Sequence, residues 1–369
     1  GRSVNPTGLI CNRSIMMEGT LTSWRRFVLI LAGTAFGLTA LLYGFIAVLD
    51  PYGLRTGPGG AARPIMDLNQ RFMYPQIVRS GRFDSAVFGT STARLLDPRA
   101  LDEAFGGAFA NLGLNAGTPW EQMQLADLFL RTVEKPKTLI FTLDRTWCAA
   151  NADENRLTFR AFPPWLYDEN RLNDYAEILS LKSLEIAGRV LLNRFGFMPE
   201  RIRGDGYEVF VPPDETYDLE RARMHLGQRD LRATSVRPDA VMLLPEERAA
   251  ISMPALSWIV AILSRVPRET RVIFAFMPVH IVAQAPAGTR EAAIDEECKS
   301  RTVDLARTRG ATVVDFRFPS NVTQDDAQYW DPLHYRIGVA AKIIDALTLA
   351  QRHGRPVNGF SRVLAHRSE

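Results

Sequence analysis

The feature that most constrains this chain is an uncharged apolar run from Phe27 to Leu49. As a helix of about 23 residues it reaches roughly 34 Å, enough to cross the ~30 Å core of a bilayer. The run is apolar all round, unlike a core helix with a single buried stripe. Arg25 and Arg26 stand immediately before it, Asp50 follows, and Arg55 comes a little later. The positive-inside rule then keeps the N-terminus in the cytoplasm and carries the rest of the chain across. A cleaved signal peptide is the alternative, but the run exceeds the usual apolar region and no small-x-small site follows it. The expectation is an uncleaved, single-pass signal anchor over 24–49 in the inner (plasma) membrane. An irregular cytoplasmic leader, 1–23, precedes it, and a periplasmic domain follows. Lipid is the partner of 27–49. Gly33, Ala35, Gly37 and Ala40 would also let the helix pack closely on another, as in a larger membrane complex, although such residues are common in helices facing only lipid.

The remaining chain has the composition of a folded domain. Hydrophobic residues are 46% and charged residues 23% of the 369, enough apolar material for a sizeable core. The net charge of +3 is too small to suggest a nucleic-acid partner. No His, Cys and Asp spacing suits a metal, and neither a phosphate loop nor a dinucleotide fingerprint occurs. No cofactor is expected, and kinases and dehydrogenases are disfavoured. Cys11 falls on the cytoplasmic side in this reading. Cys148 and Cys298 fall in an oxidising compartment, where they either pair or stand as isolated buried thiols.

After a Gly- and Pro-rich linker, Asp50–Pro64, the pattern becomes that of an α/β domain. Short apolar runs at Ser85–Phe88, Phe109–Leu114, Thr138–Leu143, Val272–Met277 and Thr312–Phe316 alternate with helical stretches. Continuous apolar runs of this kind suit parallel strands buried on both faces. Thr118, Pro119 and Glu121 spell an N-cap, a first helical position and a capping box. Ala293–Arg309 and Val339–Arg352 are expected helices. Residues 151–270 interrupt the pattern and read as a mostly helical insertion or cap with long loops, weakly periodic over 204–237. The division is 50–79 linker and lead-in, 80–150 first half, 151–270 insertion, 271–352 second half and 353–369 tail.

Two motifs bracket this domain. Phe83-Asp84-Ser85-Ala86-Val87-Phe88-Gly89-Thr90-Ser91 reads as a buried strand ending in a tight turn that presents a serine. Tyr329-Trp330-Asp331-Pro332-Leu333-His334 places a carboxylate three residues before a histidine. Nucleophile, base and orienting acid are the set that activates a hydroxyl for acyl chemistry. Ser91 could equally cap the next helix.

The order of these blocks resembles the SGNH (GDSL-type) hydrolase superfamily from about Ser80 to Leu349, insertion excluded. It is most similar to its membrane-anchored, envelope-facing branch associated with O-acylation of surface polysaccharides. The resemblance implies a three-layer α/β/α domain around a central, mostly parallel five-stranded sheet of flavodoxin-like type. It implies Ser91 as nucleophile, His334 as base and Asp331 as orienting acid. In the family's second block, a backbone N–H before a helix joins that of the nucleophile in the oxyanion hole. Gly117 occupies that place here, with Ala116 as the alternative, and Asn115 lies beside them. The third family block supplies an asparagine, where this chain has Asp144. An ionised carboxylate would repel an oxyanion, so Asp144 is turned away, paired with Arg145 or Arg94, or part of a hole built differently. Arg94, Asn115, Asp144 and His280 are the candidates for substrate contact, and His280 could also be a plain loop histidine. The implied activity is that of an acyl esterase or O-acyltransferase on acylated envelope glycans or other acyl esters, and an integral membrane acyl-transfer partner is implied with it. A catalytically degenerate scaffold or accessory subunit is the competing expectation.

Overall fold

The computed structural model describes residues 11–55, 57, 59, 63–227 and 241–367, with side chains from Ser23 onward. Residues 1–10 of the expected leader and 228–237 of the weakly periodic stretch lie outside the described residues.

The apolar runs form strands: β1 (Ser85–Gly89), β2 (Phe109–Gly113), β3 (Thr138–Leu143), β4 (Arg271–Phe276) and β5 (Thr312–Asp315). They pair in parallel in the order β2-β1-β3-β4-β5. The sheet has six strands rather than the expected five. β6 (Arg362–Ala365), from the segment read as a tail, adds antiparallel to β5. Side chains of opposite parity enter two apolar clusters, so both faces are buried. Ala86, Phe88, Leu139, Phe141, Val272 and Phe274 point one way; Val87, Ile140, Ile273 and Val314 point the other. Phe88, Phe141 and Phe274 stack across neighbouring strands at 5.2 and 5.6 Å, a cross-strand ladder on the first face.

The helices are α1 (Cys11–Leu49), α2 (Gln70–Arg79), α3 (Pro98–Phe105), α4 (Pro119–Thr132), α5 (Arg171–Glu177) and α6 (Leu181–Arg194). They continue with α7 (Leu219–Leu226), α8 (Pro245–Ala250), α9 (Pro254–Leu263), α10 (Arg290–Arg309) and α11 (Ile337–His353). α4 begins as its sequence dictates: Thr118 Oγ1 accepts the Glu121 N–H and Glu121 accepts the Thr118 N–H. Apolar residues of α2, α4, α9 and α10 join the first cluster, and those of α3 and α11 join the second.

α1 carries a stretch, Ser23–Leu49, long and apolar enough to cross a membrane. It begins at Cys11, so helix extends into what was expected to be an irregular leader. The described residues of the segment after it are anchored to the domain. Asp50, in the left-handed region at φ 50°, accepts the Leu54 N–H at 2.7 Å and pairs with Arg63 at 3.3 Å. Tyr52 is buried, with Trp165 edge-on at 5.4 Å, and α2 follows within the same segment.

Cys148 and Cys298 form a disulfide between the turn after β3 and α10, with a Cα–Cα distance of 5.6 Å. It closes a loop of sequence separation 150. Constraint of the unfolded chain by a loop of that length is worth roughly 5 kcal/mol on the closure-entropy model. Reduction is expected to lower the Tm on the order of 10 °C. Calorimetry with and without reductant checks this, and an unmoved Tm contradicts it.

Candidate active site

The site begins at the C-terminal end of β1. The chain doubles back on itself there, running outward to β2 and then across to β3, and such reversal points open crevices at strand ends. Gly89 ends β1 because nothing larger fits. A Cβ at that position would lie 1.8 Å from Thr142 Oγ1 on β3 and 2.9 Å from Ala93 Cβ. Ser91 then opens a 3-10 turn, Ser91–Ala93. Buried Asn111 holds that turn, donating from Nδ2 to the carbonyls of Ala93 (2.8 Å) and Leu96 (2.9 Å) and accepting the Gly113 N–H (3.0 Å). Tyr335 adds a hydrogen bond to the Thr92 carbonyl.

The second motif is fixed from below. The His280 N–H donates to the Pro332 carbonyl at 2.9 Å, and the Trp330 N–H to the His334 carbonyl at 2.8 Å. Asp331 Oδ1 accepts the N–H groups of Leu333 (2.8 Å) and His334 (2.9 Å). Its Oδ2 stands 2.6 Å from His334 Nδ1, and His334 Nε2 stands 2.8 Å from Ser91 Oγ. A carboxylate accepts, so the proton on the ring belongs on Nδ1. The Nε2 lone pair therefore faces the serine hydroxyl, the tautomer a general base requires. Burial works to raise the Asp331 carboxyl. The hydrogen bond and charge of His334 and two backbone donors outweigh it and hold the group below its ordinary range. The stability this carboxylate contributes is fully present above about pH 4 and is lost as pH falls through the lowered folded-state value.

A cleft of about 360 Å³ opens beside His334 and Asp331. Asp331, His334 and Trp330 line one side. Arg94 forms another with Glu208, its ion-pair partner, and Phe210, whose ring its guanidinium covers at 4.3 Å. Phe210 also meets the His334 ring edge-on at 5.1 Å. Leu68, Gln70, Asn115 and Arg160 complete the lining. A larger cleft of about 490 Å³ between α9 and α10 contains none of the serine, histidine or aspartate group.

The candidates for substrate contact divide. Arg94 and Asn115 line the cleft; Asp144 and His280 do not. Asp144 instead caps the turn after β3, accepting from Thr146 N (2.9 Å) and Thr146 Oγ1 (2.5 Å), while Arg94 is paired with Glu208. His280 is buried with Nε2 3.2 Å from Asp326. The Gly117 N–H is spent in a turn, donating to the Leu114 carbonyl at 3.0 Å. Ala116 holds the left-handed φ of 50°, an unusual conformation for a residue with a Cβ and one found at functional sites. The N–H groups of Ala116 and Ser91 have no acceptor among the described residues.

Gln70, Arg160, Glu208 and Phe210 were not singled out in the sequence. Gln70 is buried; its Oε1 faces the Asn115 N–H at 3.4 Å, which turns Nε2, without a partner among the described residues, away. Glu208 and Phe210 arrive through the insertion, which the Asn111 N–H anchors to β2 by the Asp205 carbonyl at 2.8 Å. Gly206 permits that approach, since a Cβ there would lie 1.9 Å from the Asn111 oxygen. Among the described residues no group of three or more His, Cys, Asp or Glu could hold a metal ion. No family model matches the chain, and no curated protein matches its sequence.

Proposed function

We propose that the chain is a serine-dependent acyl esterase or O-acyltransferase of SGNH type, with a three-layer α/β/α domain tethered to the membrane by α1. The observation that carries this reading is the unbroken hydrogen-bond chain from Ser91 Oγ through His334 to Asp331. Ser91 Oγ attacks the ester carbonyl while His334 Nε2 takes its proton. The tetrahedral oxyanion is met by the Ser91 and Ala116 N–H groups and by the Gln70 amide. The C–O bond to the leaving alcohol breaks, and His334 returns the proton to that alcohol. Water or a sugar hydroxyl then attacks the acyl-enzyme with His334 again as base, restoring Ser91. The polar lining of Arg94, Asn115 and Arg160 suits a glycan acceptor. The disulfide supports placement of the domain on the oxidising, periplasmic side, with Arg25 and Arg26 left in the cytoplasm.

The test is turnover of a short-chain acyl ester by the full chain in detergent, beside Asp331→Asn. Asparagine can donate to His334 Nδ1, which places the ring proton on Nε2 and removes the base. The variant is expected to fold and to lose about 10³–10⁴ in kcat. Turnover unchanged in Asp331→Asn overturns the assigned roles, and none in the wild type overturns the reading in favour of a scaffold.

A further inference from the structure

The domain carries an apolar face beside α1. Trp24 and Tyr43 lie about 28 Å apart along α1, close to the ~30 Å thickness of a bilayer core, and such side chains settle at headgroup level. Beyond Tyr43 the helix ceases to be bare: Ile46 and Leu49 are 1% and 3% exposed, packed into the domain's core. Their neighbour is α6. Tyr52 Oη stands 3.0 Å from Ser183 Oγ near the start of α6, and Arg171 at the head of α5 donates to the Leu54 carbonyl at 3.0 Å. α5 and α6 therefore flank the point where α1 leaves the bilayer.

These two helices and the loop after α6 expose what a soluble surface hides. Leu172 is 83% exposed, Leu181 86%, Phe195 68% and Phe197 79%. Arg171 and Lys182 beside them are paired with Asp174, Asp67 and Glu185, so Arg194 is the base left to meet a lipid headgroup, and the exposed apolar side chains are what suit the bilayer interface. The face runs on to the cleft. Lys182 and Arg189 of α6 hold Asp67 at 2.6 and 2.8 Å, and the next residue, Leu68, is a solvent-exposed part of the cleft lining. Phe159, also strongly exposed, precedes Arg160 on that lining.

We infer that the face formed by α5, α6 and the Phe195–Phe197 loop rests in the headgroup layer of the bilayer that α1 crosses. The cleft then opens onto that layer and takes its acyl group from an amphiphilic, bilayer-borne donor. The second statement rests on the acyl chemistry proposed above; the first does not. Continuity with α1 is what selects lipid over a second copy of the chain as the occupant.

The test uses the full chain, Cys11→Ser, in nanodiscs containing an anionic phospholipid. Phe197→Cys is labelled with an environment-sensitive fluorophore and compared with Thr308→Cys, an exposed site near the C-terminus of α10. The expected result is blue-shifted emission at 197 and quenching by aqueous iodide severalfold weaker than at 308. Equal quenching at both sites overturns the inference. So does protection at 197 that grows with protein concentration and persists in detergent, which assigns the face to a second copy. In a second arm, Leu181→Ser/Phe195→Ser/Phe197→Ser is expected to leave turnover of a soluble short-chain ester unchanged. Turnover of a long-chain ester held in the nanodisc falls severalfold. Equal rates on the long-chain ester overturn the donor assignment alone. An inert wild type overturns it together with the catalytic reading, while the fluorescence result still decides the bilayer contact.

Discussion

Ser91→Ala is expected to lower kcat on an acyl ester by at least about 10³-fold while leaving the fold intact. The substitution removes one oxygen from a half-exposed position at the head of a short turn, and no core contact depends on it. What it removes chemically is the hydroxyl that His334 Nε2 faces at 2.8 Å. Members of such a group act as a unit, so Ser91→Ala/His334→Ala is expected to be little slower than either single change. The residual rate comes from binding and from donors at the oxyanion position. Kinetics with circular dichroism of each variant check this, and a loss below tenfold in folded Ser91→Ala contradicts it.

Arg71→Met is expected to be the most disruptive single change to the support of the site. Arg71 and Glu121 are a fully buried ion pair, with Nη2 2.6 Å and Nε 2.8 Å from the two carboxylate oxygens. Arg71 also donates to the carbonyls of Asn115 (3.1 Å) and Ala116 (3.4 Å), bracing the loop that carries the strained Ala116. Removing the guanidinium leaves Glu121 charged and unpaired in the core, at a cost of about 3–5 kcal/mol and a Tm fall on the order of 10 °C. Glu121→Gln in the same chain removes the stranded charge but keeps a capping group for α4, so it is expected to recover part of the loss. Thermal denaturation of both variants checks this. A Tm within error of the wild type in Arg71→Met contradicts it.

The strands were legible because burial on both sheet faces leaves a continuous apolar run such as Thr138–Leu143, which no polar alternation interrupts. β6 was not, since Arg362–Ala365 is a short, half-exposed edge strand whose pairing depends on a partner far away in sequence. Ser91, Asp331 and His334 could be picked out because local geometry imposes them: a Gly-ended strand, and a carboxylate three residues from an imidazole. Gly117 and Ala116 both stood open as backbone donors before α4. Tertiary contacts divide them: the Gly117 N–H is spent on the Leu114 carbonyl, while Ala116 takes the left-handed φ with Arg71 donating to its carbonyl. The cleft wall stayed hidden for a similar reason. Glu208 and Phe210 sit in a weakly periodic insertion, and only the fit of Gly206 against Asn111 brings them over His334. Gln70 lies in the lead-in that follows the Gly- and Pro-rich stretch, where no motif marks it.

Mass-spectrometric mapping of a fluorophosphonate adduct on the 369-residue chain tests the serine mechanism most directly. A single stoichiometric adduct on Ser91 is expected, abolished in Ser91→Ala and strongly slowed in His334→Ala. A wild type that takes no adduct, or takes one elsewhere than Ser91, contradicts it.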